Sequence, residues 1–123
     1  MNSIIKKSIL LATIATVMTS CMIQNPDKED CFIVEMNVTD ISEGGVKDLV
    51  FHNAEGDFYY INRGLENGFT LDTAKEAILN KNATLHIVET WLGSESKHVA
   101  QLTVDGEVLY TEFNGKLEVL LKP

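Results

Sequence analysis

Residues 58–78 read Phe58-Tyr59-Tyr60-Ile61-Asn62-Arg63-Gly64-Leu65-Glu66-Asn67-Gly68-Phe69-Thr70-Leu71-Asp72-Thr73-Ala74-Lys75-Glu76-Ala77-Ile78, and their period changes midway. The first four residues are aromatic or β-branched, the composition of a strand. Gly64 and Gly68 then bracket a loop. Thr70 stands where a helix N-cap belongs, and Asp72 in the first turn complements the helix dipole. Leu71, Ala74 (or Lys75) and Ile78 recur at helical spacing with Leu79 beside them. One short helix is therefore expected, ending near Asn80-Lys81-Asn82. Its propensity is moderate, so packing against a sheet must hold it.

Strand patterns lie on both sides of this switch. Phe32, Val34, Met36 and Val38 alternate with mostly polar neighbours, the period of a half-buried strand. Ser42-Glu43-Gly44-Gly45 reads as a turn, 46–53 as a second strand, and Asn53 to Asp57 as a turn rich in residues that tolerate positive φ. After the helix, Thr84 to Val88 is a strand that could run on to Trp91, followed by a loop from Leu92 to Ser96. Asp105-Gly106 between His98–Val104 and Glu107–Phe113 is a strong hairpin signal. A two-residue turn there sets Val104 opposite Glu107, Leu102 opposite Leu109 and Ala100 opposite Thr111. Leu117, Val119 and Leu121 alternate as a closing edge strand. The chain is thus mainly β with one short helix, in the order β-β-β-α-β-β-β. A helix between the third and fourth strands of a small sheet favours an OB-like small barrel; the alternative is an open antiparallel α+β sheet with the helix on one face.

The first twenty residues are of another kind. Lys6 and Lys7 precede an apolar and small-residue run from Ile9 to Met18, and Thr19-Ser20-Cys21 closes it. The run is about half of the roughly 20 residues a membrane span requires. A charged start, a short apolar stretch and small residues before the cut are the marks of a secretory signal. With Cys21 in the last position, the segment resembles a bacterial lipoprotein signal. That resemblance implies a palmitate-bearing, acylated Cys21 as the first mature residue, held on the membrane by several acyl chains. Residues 1–20 are then signal peptide, 21–30 the lipidated N-terminus and tether, and 31–123 one globular domain. Met22, lacking the Asp that signals inner-membrane retention, points to the outer membrane of the envelope, on its periplasmic or surface face. Lys28-Glu29-Asp30 also resembles the acidic export tag of some surface lipoproteins.

Removing residues 1–20 takes two of the ten basic residues and none of the eighteen acidic ones, leaving 103 residues with a net charge of −10. Such a charge repels nucleic acid and anionic membrane surfaces. With Cys21 acylated, Cys31 has no intramolecular disulfide partner, and its place beside Phe32 at the start of a strand suits burial. His52, His86 and His98 each fall on a strand, but none has a second ligand at metal-site spacing, and no metal or other cofactor is expected. The carboxylates are not paired at a spacing for acid/base work. The serines lack a nucleophile elbow, and Cys31 has no neighbouring histidine to activate it. A catalytic role is not expected.

Aromatic residues are the better candidates for recognition. Tyr59 and Tyr60 are adjacent, so one must face away from the core. Arg63 follows ahead of a glycine-bounded loop, and Trp91, the one tryptophan, stands where a strand gives way to a loop. Tyr60, Arg63 and Trp91 are the candidate ligand-binding residues; Tyr60 and Trp91 could equally cap the core. Phe58 to Phe113 also resembles a group of small uncharacterised bacterial lipoproteins. The resemblance rests on Phe58-Tyr59-Tyr60-Ile61-Asn62-Arg63-Gly64-Leu65-Glu66 and on His98-Val99-Ala100-Gln101-Leu102 leading to Tyr110-Thr111-Glu112-Phe113. It implies no activity. The sequence therefore points to a membrane-anchored, non-catalytic binding or accessory module whose partner is a protein or a small envelope ligand. The alternatives are an inhibitor or immunity-type protein for a basic partner, and a metal-dependent envelope enzyme. Replacing Cys21 with Ser is expected to abolish acylation and move the chain to the soluble envelope fraction, as read by palmitate labelling and fractionation.

Overall fold

Alternation builds the sheet, and where alternation slips the chain bends. Met36 and Val38 are buried two apart, but the next buried residue is Ile41, three positions on. The computed structural model describes residues 28–113 and 118–120, and it divides the first strand at this slip. A 3-10 turn at Lys28–Asp30 leads into β1 (Cys31–Asn37), and β2 (Asp40–Gly44) follows after two residues. The join is held from both sides. Val38 donates its amide to the Lys81 carbonyl (3.0 Å) and accepts from the Asn80 amide (2.7 Å), while Thr39 donates to the His52 carbonyl (2.8 Å). Ser42, Glu43 and Gly44, expected in a turn, are strand residues. The chain reverses at Gly45–Lys47, where Gly45 and Lys47 take φ of 46° and 60°.

β3 (Asp48–His52) and β4 (Phe58–Ile61) come next, then a 3-10 turn at Gly64–Glu66 and a short helix, α1 (Leu71–Ile78). α1 starts at the expected cap. The Thr73 amide donates to Thr70 Oγ1 (3.1 Å), and the Thr70 amide donates to Thr73 Oγ1 (3.1 Å). This reciprocal box satisfies two amides that have no partner inside the helix. Eight residues cannot sustain a helix in water, so the burial of Ala74 and Ile78 against the sheet holds it. β5 (Asn82–Glu89), β6 (Glu95–Val104), β7 (Glu107–Thr111) and β8 (Glu118–Val119) complete the described elements. β6 begins earlier than the sequence pattern suggests, which shortens the loop before it. Leu117 and Leu121, the flanks of the expected edge strand, lie outside the described residues.

The strand order is β1-β5-β6-β4-β3-β2, with β7 paired to β6 and β8 to β7. β6 is the shared strand. One edge pairs with β5, while the other takes β4 in parallel at Tyr60 opposite His98 and then β7 from Gln101 onward. All other pairs are antiparallel. The OB-like barrel is therefore not met as a closed ladder. Among the described residues the path is open, ending at β1 and β2, and it is nearer the open α+β sheet, though with one parallel pair. The reason is covalent: β1 and β2 run nearly end to end through Val38-Thr39, so they cannot pair with each other.

The Asp105-Gly106 turn is as expected, with φ of 52° and 76° and Val104 opposite Glu107. Beyond it the register slips. Thr103 faces Val108, Leu102 faces Tyr110 rather than Leu109, and Gln101 rather than Ala100 faces Thr111. Leu109 is thus the extra residue of a bulge, which lets both Leu109 and Tyr110 turn inward. The core they join includes Leu49, Phe51, Ile61, Phe69, Leu85, Ile87 and Leu102. Phe51→Ala is expected to cost about 3–5 kcal/mol and Thr70→Ala about 1 kcal/mol, measured by urea unfolding. Equal costs would contradict this placement of the core.

Candidate functional site

Tyr59 and Tyr60 split between the two faces of β4. Tyr59 is buried on the core side, and Tyr60 is half-buried on the other. Directly opposed residues of neighbouring strands share a face. Ser42 faces Val50, Val50 faces Tyr60, and Tyr60 faces His98, so a single row of half-buried side chains crosses β2, β3, β4 and β6 on the outer face. The row ends in a hydrogen-bonded cluster. Tyr60 stands edge-on to the His98 ring, with centroids 5.9 Å apart at 86°. His98 Nε2 lies 2.8 and 2.9 Å from the two carboxylate oxygens of Glu112, and the Tyr110 hydroxyl donates to Glu112 Oε2 at 2.7 Å.

Burial raises the Tyr60 phenol pKa, and the negative charges of Asp48 and Glu112 raise it further. Tyr110 is raised by burial first and then by its hydrogen bond to Glu112. Both phenols therefore keep their protons in neutral solution and present hydroxyls, not phenolates. Beside the row, Ser42 Oγ and His52 Nε2 are 3.1 Å apart. Among the described residues no carboxylate hydrogen-bonds the other nitrogen of His52, so the pair lacks the group that orients a catalytic imidazole.

The structure separates the residues singled out from the sequence. Tyr60 lies in the row. Arg63 lies beyond the end of β4, in left-handed conformation (φ 51°); its amide donates to Asp48 Oδ1 (2.8 Å) and its Nη1 to Glu66 Oε2 (3.1 Å). Trp91 sits on the turn between β5 and β6, 56% exposed, so it caps nothing. That turn adjoins the β6 end where β4 begins, whereas Arg63 follows the end where β4 stops. No hydrogen bond or ring contact joins any two of the three. Cys21 lies outside the described residues. Cys31 is half-buried at the head of β1. Among the described residues, no three His, Cys, Asp or Glu side chains gather as a metal-ligand set.

His86 behaves differently from the other two histidines. It alternates away from Leu85 and Ile87 onto the outer face of β5, yet it is only 6% exposed, with Phe113 edge-on at 5.7 Å. Its Nδ1 is buried without a hydrogen-bond partner. A groove of about 450 Å³ lined by Ala77, Val104, Leu109 and Leu120 lies between α1 and the β6–β7 hairpin, and neither Tyr60 nor His98 lines it. The sequence reading missed Glu112 and Tyr110. Their two-residue spacing on a strand was the available signal, but their partner His98 is supplied by the neighbouring strand. Comparison of the chain with family models, with curated proteins and with solved structures finds no match.

Burial, with a smaller contribution from the Lys28 charge, lowers the His86 pKa below the ordinary value of 6.5. The unfolded chain then takes the proton first, so this group's contribution to stability is complete above that value and declines as the pH falls below it. On lowering the pH from about 7 to about 5, the Tm of the wild type is expected to fall relative to that of His86→Leu. Parallel melting curves of the two proteins would contradict the assignment.

Proposed function

We propose that this chain is a lipid-anchored accessory module of the bacterial cell envelope that binds a protein or small envelope ligand, without turning it over, on the outer face around Tyr60. The observation that carries the reading is the paired state of that face. Glu112 spends both oxygens on His98 and Tyr110, and the Ser42 hydroxyl is engaged with His52. Tyr60 is left as a half-exposed ring on a rigid support. A firmly held aromatic ring suits recognition, and the hydrogen bonds of His98 with Glu112 and of Ser42 with His52 fix the support around it. Arg63 flanks this face; Trp91 lies apart from it.

The anchor rests on Ile9–Met18 and Cys21, and the outer membrane assignment on Met22. Among the described residues no helix is long and apolar enough to cross a membrane. The resemblance of the segment from Phe58 to Phe113 to small envelope lipoproteins supports the same location.

The strand circuit favours a finer reading of the fold. Taking β1 and β2 as two halves of one bent strand through Val38-Thr39 turns the open path into a ring of five strands. That ring has a parallel pair, β4 with β6, and a helix between β4 and β5, which is the plan of an OB-type barrel with β7 and β8 added. Ligands of such barrels sit on the face of the second and third strands, which are β3 and β4 here and carry Val50, His52 and Tyr60 outward. The mature charge of −10 argues against nucleic acid as that ligand.

A photo-crosslinking amino acid at position 60 tests the reading in intact cells, with one at exposed Glu107 as control. A discrete adduct from position 60 alone is expected. Adducts from 107 but not from 60 would place the binding surface elsewhere.

A further inference from the structure

The apolar surface of this domain is gathered at one end. Among the described residues seven large hydrophobic side chains are exposed: Phe32, Ile33, Val46, Phe58, Trp91, Leu92 and Leu120. Five of these lie where the chain enters the fold. β1 begins at Cys31 opposite Val88, with Phe32 opposite Ile87 and Ile33 opposite His86, so both lie beside the end of β5. Trp91 and Leu92 are the two central residues of the β-turn that follows, closed by the Gly93 amide donating to the Thr90 carbonyl (2.9 Å). They are 56% and 73% exposed. β4 runs parallel to β6, which brings its first residue, Phe58, to the same end. Lys97 confirms this placement, with its ammonium 5.1 Å from the centre of the Phe58 ring. Val46 and Leu120 belong to the opposite end.

We propose that this end, led by Trp91 and Leu92 with Phe58, Phe32 and Ile33 behind them, docks into the zwitterionic lipid interface of the membrane that holds Cys21. The inference rests on the anchor reading above. Chain geometry supports it: the six residues from Met22 to Asp27 span at most roughly 20 Å. An acylated Cys21 therefore keeps Lys28, and the exposed end beside it, close to the bilayer surface. The tip also suits the interface chemically. Tryptophan favours the headgroup level, where its ring is apolar and its N–H finds a partner. The backbone of the turn is bonded within itself, since the Thr90 amide donates to the Ser94 carbonyl (2.8 Å) and the two hydroxyls of Thr90 and Ser94 meet at 2.7 Å. The turn is thus braced at its flanks, and the backbone of Trp91 and Leu92 themselves stays at the hydrated headgroup level, where water meets its hydrogen bonds. Lys97 beside Phe58 can extend its ammonium to the headgroups. Glu55, Asp57, Glu89 and Glu95 rim the same end, and their charge selects zwitterionic over anionic lipid.

Trp91 is the one tryptophan of the chain, so its fluorescence reports this site alone. The test uses the protein as purified from membranes, placed in phosphatidylcholine vesicles with brominated acyl chains. The mass of the N-terminal peptide is read in parallel. An acylated Cys21 with Trp91 emission shifted to the blue and quenched by the bromines is expected. Leu92→Asp, at an exposed turn position, should lose that quenching while remaining vesicle-bound through its acyl chains. An acylated protein whose Trp91 keeps the emission of an indole in water overturns the docking alone. Equal quenching in Leu92→Asp does the same, as does shielding of Trp91 by a co-purified protein in place of lipid. A peptide without acyl mass overturns the anchor reading, and the docking with it.

Discussion

β6 has one edge to share after β5 has taken the other, and the domain depends on how that edge is divided. Its first half accepts β4 in parallel, at Tyr60 opposite His98, and its second half accepts β7. Among the described residues, the pairing with β4 is the only ladder between the group β2-β3-β4 and the rest of the sheet. The side chains at that point reinforce it. Tyr60 rests edge-on against His98, an aromatic contact of about 0.5–1.5 kcal/mol, and Glu112 ties His98 to Tyr110 on β7. The candidate site therefore stands on the joint that holds the two halves together. A ligand pressing on Tyr60 would sense the joint, and loosening the joint would disorder the site.

The second constraint is the bend at Val38-Thr39. One chain segment serves β5 with its first half and β3 with its second, and three backbone hydrogen bonds through the join leave no amide of Val38 or Thr39 unsatisfied. A single straight strand could not meet both partners. The slip in burial between Val38 and Ile41 is the cost in pattern of turning that corner, and the bulge at Leu109 plays a similar part on β7, giving two inward side chains where strict alternation allows one. Between these two irregularities the core closes around Phe51, Phe69 and Tyr110, with α1 held by Ala74 and Ile78.

Local elements were the legible ones. β4, the Thr70 cap and the Asp105-Gly106 turn depend on residues within a few positions of each other, and all three stand as read. The errors share one cause. Ser42-Glu43-Gly44 is turn-like in composition, yet its partner β3 draws it into the ladder as β2. Strict alternation pairs Leu109 with Leu102, because it has no means of announcing the bulge that sets Tyr110 there instead. Alternation requires one of Tyr59 and Tyr60 to face outward, and register makes it Tyr60, whereas Arg63 and Trp91 share only chemistry with it. Only the direction of β4 relative to β6 places those two at opposite ends.

The chain's composition and short-range order by themselves determine an acidic, mainly β domain with a capped helix and a sharp hairpin, and an apolar run that precedes Cys21. These follow from propensity, charge and turn geometry, which neighbouring residues set among themselves. Tertiary structure alone decided that His98 meets Tyr60, that Glu112 is drawn onto His98, and that Trp91, Leu92 and Phe58 gather at the end where the chain enters. Those outcomes rest on register and strand direction between segments distant in sequence. Such choices are made by the burial of a whole face at once, which no local stretch of residues encodes.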